Sequence, residues 1–196
     1  MRLFVAVNLP REERDRLYAE TRVLREAGLP VRWVAAESLH ITLKFLGEVP
    51  EQRAGAVQAA VEEAATRHAP FTLSLGGIGA FRNLRRPRVV WLGIHGAPEL
   101  LALQADVESA LEPLGFVKEQ RPFSPHLTLG RAEDRARASG FAALESIAQR
   151  VSYEATVDVA SADLMLSKLM RGGARYERMH AAMLRAAQPN EMGRRS

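Results

Sequence analysis

Cysteine is absent from the 196 residues, which excludes a disulfide framework, a thiolate metal site and a cysteine nucleophile. Long apolar runs are missing as well: no segment reaches the roughly 18 apolar residues that span a bilayer. Met1–Pro10 holds one charge and a short apolar stretch, without the extended apolar region and small-residue cleavage site of a signal peptide. A cytoplasmic protein is therefore expected. Lysine is scarce. Lys44, Lys118 and Lys168 are the only three, and arginine supplies every other cation behind the net charge of +4. Arginine suits phosphate because its planar fork donates two hydrogen bonds at once. Codon usage in a GC-rich genome accounts for the bias as readily, so charge alone makes an anionic partner plausible and no more. With 47% hydrophobic and 26% charged residues, the chain has the makeup of a soluble globular protein with enough length for a sizeable core.

What the chain does have is a repeated tetrad. Leu39-His40-Ile41-Thr42-Leu43-Lys44-Phe45-Leu46 reads as a half-buried strand, and His-x-Thr-Leu returns 86 residues later in Pro125-His126-Leu127-Thr128-Leu129-Gly130-Arg131. Strand side chains alternate between faces. Alternation puts His40, Thr42 and Lys44 on one face, with Ile41, Leu43 and Phe45 toward the core. It likewise puts His126 and Thr128 opposite Leu127 and Leu129.

The flanking pattern repeats too. A strand over 3–8, a helix over 10–27, a loop and His40 are matched by a strand over 89–94, a helix over 97–114, a loop and His126. Val5 and Trp91 each precede their histidine by 35 residues. Such spacing predicts two similar lobes, and a pseudo-twofold axis between them would bring both His-Thr pairs to one cleft. Elsewhere, the spacing predicts a helix over 51–68, a strand over Phe71–Leu75 and a turn from Gly76 into a basic loop with Arg82, Arg85, Arg86 and Arg88. It also predicts a helix over 135–149 and strands near 151–160, 162–168 and 175–185. A turn at Arg171-Gly172-Gly173 and a frayed tail from Gln188 complete the expectation.

Paired histidines fit several chemistries. A metal site would want a third ligand, yet each tetrad sets Thr beside His, where Asp, Glu or Cys would serve. A serine hydrolase lacks its Gly-x-Ser-x-Gly elbow, and Ser124 has no evident activating partner. Acid–base catalysis at phosphorus fits best. One neutral imidazole takes a proton from the attacking oxygen while one imidazolium protonates the leaving oxygen, and an ordinary pKa near ~6.5 permits one of each at neutral pH. Thr42 and Thr128 are placed to donate to the non-bridging oxygens. A nucleotide- or RNA-binding module without catalysis stays open as the rival.

The tetrads, the Leu39–Gly47 segment and Arg121-Pro122-Phe123-Ser124-Pro125-His126-Leu127-Thr128-Leu129-Gly130-Arg131 resemble the two-histidine phosphoesterase superfamily. Within it, the chain looks like the bacterial and archaeal RNA 2′,3′-cyclic phosphodiesterases, historically called 2′-5′ RNA ligases. The resemblance implies an α+β fold over residues 1–196: two interleaved lobes, with two antiparallel sheets flanking a cleft and helices outside. His40 would lie in one lobe and His126 in the other. It implies metal-independent hydrolysis of RNA 2′,3′-cyclic phosphate ends to 2′-phosphates without a cofactor, and reversible ATP-independent 2′-5′ joining. It assigns His40 as proton donor, His126 as proton acceptor, and Thr42 and Thr128 to the phosphate. A superfamily member acting on another cyclic phosphate or ester is the nearer alternative. Arg131 follows the second tetrad as in the family, but alternation puts it on the apolar face, so it needs a twist, a bulge or a strand end. Lys44 is on the correct face for phosphate. Trp33, Phe123 and the Arg82–Arg88 loop are candidates for base stacking and backbone contact. The expected partner is RNA with 2′,3′-cyclic ends, such as tRNA halves or small nucleotides, with no membrane and a monomeric protein.

Overall fold

Leu3, Phe4, Val5, Ala6 and Val7 are all at most 2% exposed. A strand buried on both faces must lie inside a sheet with cover on each side, and β1 (Arg2–Asn8) does. The computed structural model describes residues 1–170 and 173–185. In chain order β1 is followed by α1 (Arg11–Glu20), α2 (Arg22–Glu26), β2 (Val31–Trp33), β3 (His40–Glu48) and α3 (Ala54–Ala65). Next come β4 (Phe71–Phe81), β5 (Val89–His95), α4 (Pro98–Leu111), β6 (His126–Ala132) and α5 (Leu144–Ala148). Strands β7 (Glu154–Val159), β8 (Ser161–Met170) and β9 (Gly173–Met183) complete the order.

The sheet is antiparallel and curled, with strand order β7-β4-β5-β6-β3-β1-β8-β9, and β2 pairs with β6 beside β3. The two expected antiparallel sheets are therefore two four-stranded halves of one sheet. They meet between β6 and β3, where Ile41 pairs with Leu127. Within each half, β5 lies beside β6 as β1 lies beside β3.

Helices cover one face. Leu17, Leu24, Val57, Val61, Leu100, Leu103, Val107 and Leu111 are fully buried at helical spacing against the sheet residues Leu3, Val5, Ile41, Leu92 and Leu127. Each such side chain contributes about 1.5–3 kcal/mol on burial. The opposite face is left for the site. Pro98 opens α4 at a position where its missing N–H costs nothing, and Gly115 ends the following turn at φ 84°, a conformation that favours glycine.

Several boundaries differ from expectation. The first helix divides at Thr21, whose hydroxyl donates to the Leu17 carbonyl at 2.7 Å and bends the chain. The helix expected over 135–149 shrinks to a 3₁₀ turn, Ala138–Phe141, and the five residues of α5. Gly76–Phe81 continues β4 instead of turning away. Gly77 at φ 73° takes up a register shift against β5, and Gly79 leaves room for the Trp91 indole, which would lie 2.1 Å from a Cβ there. Arg171 and Gly172 of the expected turn, and the tail from Gln188, lie outside the described residues. No helix of the described residues is long and apolar enough to cross a membrane.

Candidate active site

The two tetrads are the adjoining strands of the two half-sheets. Ile41 and Leu127 face each other and are fully buried on the helix side. Their neighbours His40, Thr42, His126 and Thr128 therefore point to the opposite, concave face, and all four are half-buried there. Carrying the antiparallel register one residue either way sets His40 across from Thr128 and Thr42 across from His126. Each imidazole thus has a threonine from the other half beside it.

The histidines are held alike. Nδ1 of His40 donates to the Ser38 carbonyl at 2.8 Å, and Nδ1 of His126 donates to the Ser124 carbonyl at 2.8 Å. A carbonyl only accepts, so the proton sits on Nδ1 and Nε2 is the nitrogen available for chemistry in both rings. Aromatic walls complete the setting. His40 lies 4.9 Å from the Phe4 ring and 5.1 Å, edge-on, from Tyr176. The Phe81 ring stands perpendicular to His126 at 4.7 Å. Burial, with Arg131 adding to it, pushes His40 down to about 4, and the same two causes lower His126. In both, the hydrogen bond to the serine carbonyl works the other way.

Arg131 acts on both rings because a bulge turns it toward them. Val90 pairs with Gly130 and Trp91 with Thr128, so Leu129 is an extra residue in β6 and the alternation slips by one. Beyond the bulge, Arg131 shares the concave face with Thr128. Its equivalent slip occurs in β3, where Val5 pairs with Lys44 and Ala6 with Thr42, leaving Leu43 extra.

The slip in β3 overturns two expectations. Lys44 is on the helix side, not beside His40: it is 7% exposed, hydrogen-bonds Glu108 of α4 and donates to the Val117 carbonyl at 2.9 Å. Phe45, expected in the core, is 66% exposed on the concave side near Phe4. Lys44 is thereby directed away from any phosphate between the histidines.

Trp33 is tied up structurally. It packs over Gly130, where a Cβ would meet its ring at 2.8 Å, and joins the main core. Phe123 packs at the edge of the same core. Sequence pattern does not single out Phe4, Phe81 or Tyr176. Phe81 sits at the end of the glycine-rich stretch and Phe4 beside Val5, so the repeat alignment is the signal that points near them. Among the described residues, no three His, Cys, Asp or Glu side chains converge as a metal site would require.

Residues 13–168 match the profile of the 2'-5' RNA ligase superfamily. An RNA 2',3'-cyclic phosphodiesterase of Methanothermobacter thermautotrophicus is 32% identical over 184 residues, covering 94% of this chain and 99% of that protein. The crystal structure of TT0787 of Thermus thermophilus superposes with a TM-score of 0.79 at 29% identity, covering 96% of this chain and all of that one. Escherichia coli LigT complexed with 3'-AMP gives a TM-score of 0.70 at 30% identity over 93% of this chain and 97% of that one. The chain belongs to the 2'-5' RNA ligase superfamily.

Proposed function

We propose that the protein hydrolyses RNA 2′,3′-cyclic phosphate ends to 2′-phosphates by proton transfer between two histidines. The observation that carries this reading is the pairing of two imidazoles on one face of adjoining strands, each with Nδ1 committed to a backbone carbonyl and Nε2 left for the reaction. In the proposed step, Nε2 of His126 takes a proton from water as its oxygen bonds to phosphorus. The P–O3′ bond breaks, and Nε2 of His40 gives its proton to the departing 3′-oxygen. The attacking and leaving oxygens lie in line across phosphorus, as two proton carriers from opposite halves would serve them. Thr42, Thr128 and Arg131 offer donors and positive charge to the non-bridging oxygens as charge builds there. A bound phosphodiester anion favours the imidazolium that burial disfavours, so substrate itself charges the acid. With a 5′-hydroxyl in place of water, the same transfers give a 2′-5′ phosphodiester, which makes joining the counterpart of hydrolysis. No metal is needed for these steps.

Incubating the protein with 2′,3′-cyclic AMP in EDTA tests the reading. The expected product is 2′-AMP. Formation of 3′-AMP would overturn the assignment of the leaving oxygen, and binding without turnover would leave a nucleotide-binding module.

A further inference from the structure

Six arginines from three separate chain segments line a single groove of about 770 Å³: Arg32 from β2, Arg82, Arg86 and Arg88 from the β4–β5 turn, and Arg131 and Arg137 from β6 and its sequel. We propose that this groove is the subsite for the nucleotides on the 5′ side of the terminal cyclic phosphate, so that the protein reads an RNA chain and not a mononucleotide. The proposal rests on the hydrolytic reading above and specifies its substrate.

Continuity with the histidines comes first. Arg131 lines the groove and also bears on His40 and His126 through its charge. Phe81, which meets the His126 ring, is followed directly by Arg82. A strand whose 3′ end is a cyclic phosphate can continue only from its 5′ side. Chain leaving the histidine pair past Arg131 therefore enters the groove with a phosphodiester at every residue.

Charge comes second. Glu133 and Asp134 also line the groove, and Asp134 lies 3.7 Å from Arg32. Among the described residues, Arg82, Arg86, Arg88, Arg131 and Arg137 enter no salt bridge. All five are exposed. Elsewhere on the surface, Arg11, Arg16, Arg22 and Arg67 are each matched to a carboxylate one helical turn away. Five unmatched cations sharing one concavity build a local field for a polyanion.

Backbone geometry comes third. Arg82 has φ 30°, a left-handed conformation that no other non-glycine among the described residues adopts. Strain of this kind persists where surrounding structure holds it, and it concentrates at binding sites. Here it turns the chain from β4 into the arginine-bearing turn immediately beside His126.

The test compares a mononucleotide with a chain. Hydrolysis of 2′,3′-cyclic AMP and of a six-residue RNA ending in a 2′,3′-cyclic phosphate is measured for the unaltered protein and for Arg86→Ala/Arg137→Ala. Both positions are exposed and apart from the histidines. The unaltered protein should favour the RNA by at least about tenfold in kcat/KM. The double variant should lose about tenfold on the RNA while its rate on cyclic AMP stays the same. Binding of the 2′-phosphate-ended RNA, followed by fluorescence anisotropy against salt, gives a readout free of turnover. The slope of log Kd against log salt should flatten by about 0.7 for each phosphate contact removed. Equal kcat/KM for both substrates, or equal losses on both, would overturn the proposal. Salt-dependent RNA binding that the double variant weakens, without hydrolysis of either substrate, would keep the groove and reject the hydrolytic reading.

Discussion

Strands β3 and β6 invite comparison because they are so nearly the same. Each carries His-x-Thr-Leu, each binds its histidine Nδ1 to the carbonyl two residues back, and each inserts an extra leucine three residues after the histidine. Beyond the bulge they part. In β6 the next two residues are Gly130, which accepts the Trp33 ring against its backbone, and Arg131, which reaches the concave face. In β3 they are Lys44, buried against Glu108, and Phe45, exposed beside Phe4. A duplicated scaffold thus places two like imidazoles, and the residues after the bulge make their surroundings unlike. One half contributes charge to the cleft. The other turns its cation inward to fasten α4 and shows the cleft an aromatic ring.

Replacing the histidines probes what the two strands share. His40→Ala and His126→Ala should each lower kcat by about 10²–10⁴-fold, with far less than additive loss in the double variant. Unaltered thermal melting would confirm an intact fold, and substantial turnover in either single variant would break the pairing.

Lys44 probes the inward cation. Lys44→Met leaves Glu108 buried without its partner and should cost about 3–5 kcal/mol, whereas Lys44→Met/Glu108→Leu should recover most of it. Denaturant unfolding separates the two. The folded fraction should keep its kcat, because the ammonium faces the helices.

Arg131 probes the outward cation. Arg131→Met should reduce kcat/KM by about 10²-fold, the scale for losing one donor to developing charge. It should also move the pH profile. In the free protein both histidines are held below the usual range, His40 at about 4, so kcat/KM should peak below pH ~6.5. Removing a cation that opposes protonation raises both pKa values, and both limbs should shift to higher pH. A profile unchanged by the substitution would place Arg131 outside the reacting field.

The smallest effect is expected at Phe45. Phe45→Arg carries the β6 choice into β3 at an exposed position, so stability should change by no more than about 0.5 kcal/mol. Its added charge should move the acid limb to lower pH, opposite to the Arg131 effect.

The histidines are legible in the sequence because alternation and repeat spacing are local properties. His40, Thr42, His126 and Thr128 follow directly from a period of two, and their meeting follows from the matched order of strand, helix and strand. Alternation misplaces Lys44 and Phe45 because a bulge is decided by how a strand registers with its neighbour: Leu43 is surplus only against Val5 and Ala6. Arg131 reaches the cleft by the same device, so one cause puts two residues on the wrong face and brings a third to the right one. Gly76–Phe81 reads as a turn from its glycines, whereas those glycines keep β4 going under Trp91. The aromatic walls come from β1, β4 and β9, which only the sheet order brings beside the tetrads.

The join between the half-sheets has a mechanical consequence. Neighbouring strands elsewhere in the sheet share three or more residue pairs, while among the described residues β6 and β3 share the pair Ile41↔Leu127. Like a book sewn with one stitch, the two leaves hold their shape better than the spine holds its angle. The span from one imidazole to the other is then a property of the spine. A spine held by one pair predicts that this span narrows on a small phosphate and widens on its release, with neither leaf unfolding. Hydrogen exchange at Ile41 and Leu127 reports on that stitch, and the amides should gain protection when inorganic phosphate draws the leaves together.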